Sequence, residues 1–185
     1  MSFSIPSVIV IRLKDLGWFS RYDWLGSGIS NTLTEKLRVL PFIRVLSLLA
    51  LDLLLDSRRL TGTRPKNEVE ALKVLKMLPV TAWMIYGTMR MWGDDIQISC
   101  HIISQDGHKR DANWSGRYIR LLEGIHIISV GIAEDLAQMA SASQITVNWD
   151  RTRFEKAGLP SSLQAYEAFC RATHSRAGSE KAIFY

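Results

Sequence analysis

The chain has 185 residues, of which 47% are hydrophobic and 22% charged, enough for one domain with a substantial core and too few for two full ones. This composition excludes disorder over most of the length. The formal net charge is +5, and the densest basic group, Lys109, Arg110, Arg117 and Arg120, is interrupted by Asp111 and Glu123. It reads as a solvated surface rather than a nucleic-acid or lipid patch.

The start, Met1 to Ser7, lacks a basic segment followed by an apolar stretch, so no signal peptide is expected and a cytoplasmic address is favoured. Ser7 to Leu13 is a β-branched run of strand length, and its nearly continuous apolar character predicts burial on both faces beside parallel neighbours. A polar and aromatic loop, Lys14 to Tyr22, follows. Next comes a helix with apolar Leu25, Ile29, Leu33, Leu37 and Leu40 every three or four positions, ended by Pro41. Phe42 to Ser47 predicts a second strand, and Leu48 to Leu55 reads equally as strand or short helix. Asp52 and Asp56 leave that apolar run well short of the ~18 residues a membrane span needs.

Asp56 to Lys66 is a predicted loop, and Asn67 with Glu70 three residues on forms a capping box for a second helix that Pro79 closes. From Thr81 the period falls to two. Trp83, Ile85, Gly87 and Met89 share one face, a Gly93-Asp94 turn reverses the chain, and Ile96, Ile98, Cys100 and Ile102 share a face of the next strand. Asp106-Gly107 predicts a second hairpin turn with both residues at positive φ, and Arg110 to Tyr118 a fifth strand. Leu121, Ile125, Ile128, Ile132, Leu136 and Met139 then define a helix with a broad apolar stripe.

The expected fold is therefore α/β, a mixed five-stranded sheet in the order βαβαβββα over residues 1–140, with both crossover helices on one sheet face. Residues 141–185 form a linker and helical extension. It contains Ile145 to Trp149, a helix from Ser161 to about His174, and Glu180 to Tyr185 as the opening of another helix that continues past the chain's end.

Several chemistries invite testing. Gly26-Ser27-Gly28 opens a helix after a strand, but Asn31 stands where a dinucleotide fingerprint needs its third glycine, and the alternative is close packing at a helix start. Cys100 and His101 are adjacent on a strand and face opposite ways, which disfavours joint chelation, and His108, His126 and His174 read as solvated or packed. No Gly-x-Ser-x-Gly occurs, and Asp94-Asp95 sits in a turn where Asp serves local hydrogen bonds. Cys100 and Cys170 lie far apart, and Cys100 reads as a small buried hydrophobe. No catalytic residue, metal site or cofactor is expected.

Trp18, Phe19, Tyr22 and Trp24, interleaved with Lys14 and Arg21, form the richest aromatic cluster, either a partner anchor or cover for the sheet edge. The helix containing Tyr166, Phe169 and Cys170 carries more apolar surface than a solvated helix needs. Trp18, Phe19, Tyr22, Tyr166 and Phe169 are thus the candidate partner-binding residues.

The strand Val8 to Ile11, the helix opening Tyr22 to Ile29 with Leu33 and Leu37, the segment Ile85 to Met89, the Gly93-Asp94 turn with Ile96 to Ile98, and the Ile125 to Leu136 helix together carry a resemblance. Over roughly residues 7–140 the chain resembles the TolB amino-terminal-like family, which includes flagellar FlgO-type proteins and modules joined to tetratricopeptide repeats in bacteria. Leu159 to Tyr166 is similar to the joint leading into such repeats, and Ala182 to Tyr185 to a first repeat helix. The resemblance implies a non-catalytic scaffold in a bacterial multi-protein complex. Its partners would be a protein, further helical repeats or a second copy, with nucleic acid disfavoured; the alternative is a nucleotide- or nucleic-acid-binding module using the basic surface and the Gly26–Gly28 helix start.

Overall fold

The computed structural model describes residues 5–17, 22–47, 50–51, 65, 67–156 and 160–182. Trp18 and Phe19, most of Leu48 to Leu55 and nearly all of the Asp56 to Lys66 loop lie outside the described residues.

The first strand, β1 (Ser7–Val10), is buried along its whole length, as its apolar run requires, and pairs in parallel with both β3 (Arg44–Leu46) and β4 (Ala82–Trp92). The chain then leaves the ladder at Arg12 and returns as β2 (Lys14–Asp15), also parallel to β4, opposite Thr88 and Met89. This short return adds a sixth strand where a loop was expected. The Ser30 hydroxyl bridges the break, accepting from the Leu13 amide at 2.9 Å and lying 3.3 Å from the Ile11 carbonyl. A polar side chain on the covering helix thus satisfies backbone groups that the interrupted strand leaves buried.

Helix α1 (Asp23–Leu37) stops three residues before the expected Leu40, and Arg38, Val39 and Leu40 close it with turns back to Thr34, Lys36 and Leu37. Pro41 disfavours helical backbone at the residue before it. Helix α2 (Glu68–Met77) has the expected cap: Asn67 accepts from the Glu70 amide at 2.9 Å, and its side-chain amide donates to the Glu70 carboxylate at 3.2 Å. At its other end the Gln105 amide donates to the carbonyls of Leu75 at 2.7 Å and Val80 at 2.9 Å.

The meander β4, β5 (Asp95–Ser104) and β6 (Lys109–Arg117) completes a sheet ordered β3-β1-β4-β5-β6, with β2 beside β4. Gly93, at φ +60, takes the first central position of the two-residue β4–β5 turn. The β5–β6 turn holds three residues, Gln105 to Gly107, so only Gly107, at φ +88, needs the left-handed region. Asp106 does not share it, contrary to expectation, because the extra residue makes a type I turn closed by a glycine bulge.

Helix α3 (Leu121–Ala142) lies with α1 on one face of the sheet. Between them and the sheet, Leu25, Ile29, Leu33, Ile125, Ile128 and Ile132 meet Val8, Ile85, Ile98, Cys100 and Ile102. Helix α2 covers the other face, where Ala71, Val74 and Leu75 pack on Ile9, Ile11, Met84 and Ile103. Both crossover helices were expected on one face. The strand order explains the difference, since β1 to β3 steps one way and β3 to β4 steps back across β1, and right-handed crossovers of opposite direction lie on opposite faces.

Beyond residue 140 a short helix α4 (Arg151–Lys156) and a long α5 (Leu163–Ala182) return to the α1 side, and Phe154, Tyr166 and Cys170 enter that core. Glu180 to Ala182 belong to α5 and do not begin a new helix, since no proline interrupts the run and Gly178 is accommodated within it, and 183–185 lie outside the described residues. Helix α4 lacks an apolar period, and its one local signal is Asp150, whose carboxylate accepts from the Arg153 amide at 3.2 Å.

The meander's buried face yields a direct test. Ile98 is fully buried, and Ile98→Asp places an unpaired carboxylate there at a cost of several kcal/mol, about the whole stability of a domain this size. The expected outcome is insoluble or unfolded protein by circular dichroism, whereas exposed Gln97→Asp shifts Tm by only a few degrees.

Candidate functional site

Gly26, Ser27 and Gly28 lie inside α1, past the first-turn amides that a helix start would offer to a phosphate. Both glycines are buried. A Cβ on Gly26 would stand 2.5 Å from the Leu13 carbonyl oxygen, and one on Gly28 would overlap the Cys170 thiol. Gly26 thus lets α1 approach the strand break, and Gly28 lets α5 approach α1. The pair serves close packing, and no anion can reach it.

The α1–α5 seam brings several polar side chains together. Fully buried Tyr166 lies across from Thr32, with 3.2 Å between their hydroxyls, and Cys170 is equally enclosed. Tyr166 was expected to face a partner; it is instead buried within the fold, its hydroxyl beside that of Thr32 of the same chain. Tyr118, in the turn before α3, donates to Glu167 at 2.6 Å, and the Arg171 guanidinium stacks 4.3 Å above the Trp24 ring. Burial, more than these partners, pushes the Tyr118 and Tyr166 phenols above their usual range and the Cys170 thiol up to about 11. Tyr22 is half-buried beside Trp24, with ring centroids 6.4 Å apart. Phe169, on the outer side of α5, stays 42% exposed.

A feature absent from the sequence reading is Lys36, which is fully buried. Its ammonium donates to the Phe154 carbonyl at 3.3 Å and sits 5.0 Å from the Phe154 ring. That carbonyl is one of the last of α4, so the lysine caps a helix C-terminus and ties α4 to α1. Burial lowers the Lys36 pKa, and the nearby Glu155 carboxylate opposes the shift. The only sequence signal was a lysine within one turn of Leu33 and Leu37. Next to it, between the end of α1 and α4, an open cleft of about 250 Å³ is lined by Pro41, Trp149, Asp150 and Arg153 among others. It is smaller than usual ligand pockets, and among the described residues it holds no nucleophile paired with a base.

The remaining reactive side chains are dispersed. Cys100 faces the α1 side, where burial pushes its thiol up to about 12. His101 faces the opposite way, with Nδ1 2.5 Å from Asp111 Oδ1 and its ring 5.2 Å from that of Tyr86. Tyr86, His101 and Asp111 are direct neighbours across β4, β5 and β6. The basic group is paired residue by residue: Lys109 with Glu68 at 3.1 Å, Arg110 with Asp135 at 4.0 Å, Arg117 with Asp94 at 3.9 Å and Arg120 with Glu123 at 2.5 Å. Among the described residues no group of three metal-ligating side chains converges, and no helix is long and apolar enough to cross a membrane.

A mixed sheet with α1, α3 and α5 on one face and α2 on the other defines the class of domain. Its likeness among solved structures is to the LpoB C-terminal domain from Salmonella enterica, at TM-score 0.50 and 9% identity, covering 63% of this chain and 85% of that one. The LpoB C-terminal domain from Escherichia coli matches at TM-score 0.46 and 13% identity, covering 61% of this chain and 80% of that one. TolB from Acinetobacter baumannii matches at TM-score 0.46 and 10% identity, over 74% of this chain and 29% of its own. At 9% identity, what the Salmonella enterica domain shares with this chain is the fold. No family model matches the chain, and no curated protein matches it.

Two outcomes test the seam. Gly28→Val forces α5 off α1, and overpacking of this kind costs about 1–3 kcal/mol; limited proteolysis should cut within 163–182 of the variant well before the parent, and equal cleavage would contradict the packing role. The raised Tyr118, Tyr166 and Cys170 pKa values mean that the folded chain keeps protons the unfolded chain releases from about pH 9 upward. Their contribution to stability is complete below that pH and is lost as pH rises through the folded values. Tm should therefore fall progressively above pH 9, with a shallower slope in Tyr166→Phe.

Proposed function

We propose that this chain is a non-catalytic protein–protein interaction module that assembles into a bacterial multi-protein complex. The observation that carries the reading is the outer face of α5. Its inner side packs on the α1 side of the core through Tyr166 and Cys170, yet Phe169 remains 42% exposed. Aromatic side chains on a fixed frame are the usual anchors of protein interfaces. Tyr22, half-buried beside Trp24 at the start of α1, belongs to the candidate surface, while Trp18 and Phe19 lie outside the described residues.

The LpoB-like fold supports the reading at the level of architecture, and fold by itself does not set function. The finer assignment, to the TolB amino-terminal-like family with its FlgO-type members, belongs to the same proposal. Helical repeats following the domain, or a second copy, would stack on the face that carries Phe169, since the opposite face of α5 is already occupied. The nucleotide-binding alternative loses its support from the glycine pair, whose Cα atoms face Leu13 and Cys170.

Phe169→Glu in the full chain is the test. Protein partners that co-purify with the parent from its native cells should drop at least tenfold, with Tm of the isolated chain shifted by no more than a few degrees. Micromolar binding of ATP, GTP or zinc by calorimetry, or unchanged partner recovery by Phe169→Glu, would contradict the proposal.

A further inference from the structure

The outer edge of the sheet is long and unguarded. Strand β6 is the last in the order, and among the described residues nothing pairs with its outer side. The Ser104 amide donates to the His108 carbonyl and the Tyr118 amide to that of Asp94, which sets the hydrogen-bonding phase of the β5–β6 ladder. With an unbroken register between those ends, even-numbered residues turn their amides and carbonyls toward β5, and Lys109, Asp111, Asn113, Ser115 and Arg117 aim theirs outward. Natural edges as long as this one, about 30 Å, are blunted by proline, a bulge, unopposed charge or shortness. The opposite edge, β3, is three residues long, whereas β6 has neither proline nor bulge.

Charge does not guard β6 either. Lys109 is held by Glu68 and Asp111, Arg110 by Asp135 and Arg117 by Asp94, so every cation of the strand has its acid within the chain. A neutral edge selects no charged peptide, and it lets a second copy approach without net repulsion between the two strands.

The order of residues along β6 fits that second copy in one register. Antiparallel pairing of β6 with its own copy, about a two-fold axis at Trp114, sets Asp111 opposite Arg117 and Asn113 opposite Ser115, each pair occurring twice and each at outward-bonding positions. Asp111 uses only Oδ1 for His101 and Lys109, and the 72% exposed Arg117 meets Asp94 at 3.9 Å, so the cross-strand pair adds to these contacts and need not break them. On the helix side the axis brings Trp114 against Trp114 at a closely spaced, non-hydrogen-bonded position, where aromatic pairs are stabilising. Each Trp114 ring lies against Gly116 of its own strand and Gly124 of α3, and the residue across from that Gly116 is Ala112 of the other copy, too small to contest the space. Ile127, 46% exposed and one turn beyond Gly124, flanks the pair from each copy.

Neighbouring registers lack this fit. An axis at Asn113 opposes Lys109 to Arg117, one at Asp111 opposes the two carboxylates, and one at Ala112 sets Arg117 against Gly107 in the β5–β6 turn. We infer that the chain forms a two-fold dimer through β6, joining two sheets into one, with Asp111–Arg117 and Trp114–Trp114 as its cross-strand pairs.

The inference rests on the interaction-module reading but uses none of the Phe169 surface, so Phe169→Glu should leave the dimer intact and the two readings fail separately. Sedimentation equilibrium of the full chain should show a monomer–dimer equilibrium in the micromolar range. Asn113→Pro removes an outward donor and no β5 bond, so dimerisation should weaken at least tenfold with little change in the Tm of the monomer. Asp111→Arg and Arg117→Asp test the register. Either alone sets like charges opposite one another twice and should lower dimer affinity at least tenfold, with circular dichroism confirming that each variant is folded. Mixed, each supplies the charge that the other lacks, and the equimolar mixture should recover the dimer to within a few-fold of the parent. A parent chain monomeric up to millimolar concentration, a dimer indifferent to Asn113→Pro, a mixture no better than its folded components, or a dimer abolished by Phe169→Glu would overturn the inference.

Discussion

Everything on the α1 side of this domain depends on how closely α1 approaches its neighbours. Two faces of one helix come to backbone distance of other elements, the sheet at Leu13 through Gly26 and α5 at Cys170 through Gly28. Ser30 then reaches the strand break and Thr32 lies across from Tyr166. Glycine within a helix weakens it by roughly 1 kcal/mol relative to alanine, and the interfaces made on both sides must offset that loss. Larger residues at these positions would separate the layers, and the buried hydroxyls would lose their partners.

That constraint also explains why the C-terminal segment belongs to the fold. A linker followed by an independent helix would leave Tyr166 and Cys170 in solvent. The chain instead threads past the end of α1, where Lys36 caps α4, and lays α5 along the groove that Gly28 opens. The surface left for association is correspondingly specific. As proposed, it comprises Phe169 outside the seam and the half-buried Tyr22 at the start of α1.

Most of the architecture is legible in residue order. The two-residue period of the meander, the Asn67 capping box, the Gly93 turn and the apolar stripe of α3 are local signals, and each has its counterpart in the structure. What local pattern could not supply was the strand order, which alone decides that α2 lies opposite α1. Nor does it reveal β2, whose two residues are defined only by their register on β4. The site was less legible still. Tyr166 and Phe169 look alike in sequence, and only the direction of α1 makes one internal and the other external. Lys36 resembles any helical surface lysine until α4 folds over it, and the open edge of β6 follows from hydrogen-bond phase, a property no side chain encodes.

Amide hydrogen exchange on the monomeric full chain, resolved by NMR, tests the central claim that the glycine pair is closed and the sheet edge is open. The account requires slow exchange at Gly26 and Gly28, near the limit set by global unfolding, and exchange within minutes at Asp111, Asn113 and Ser115. Fast exchange at the glycines together with protection along β6 would contradict it.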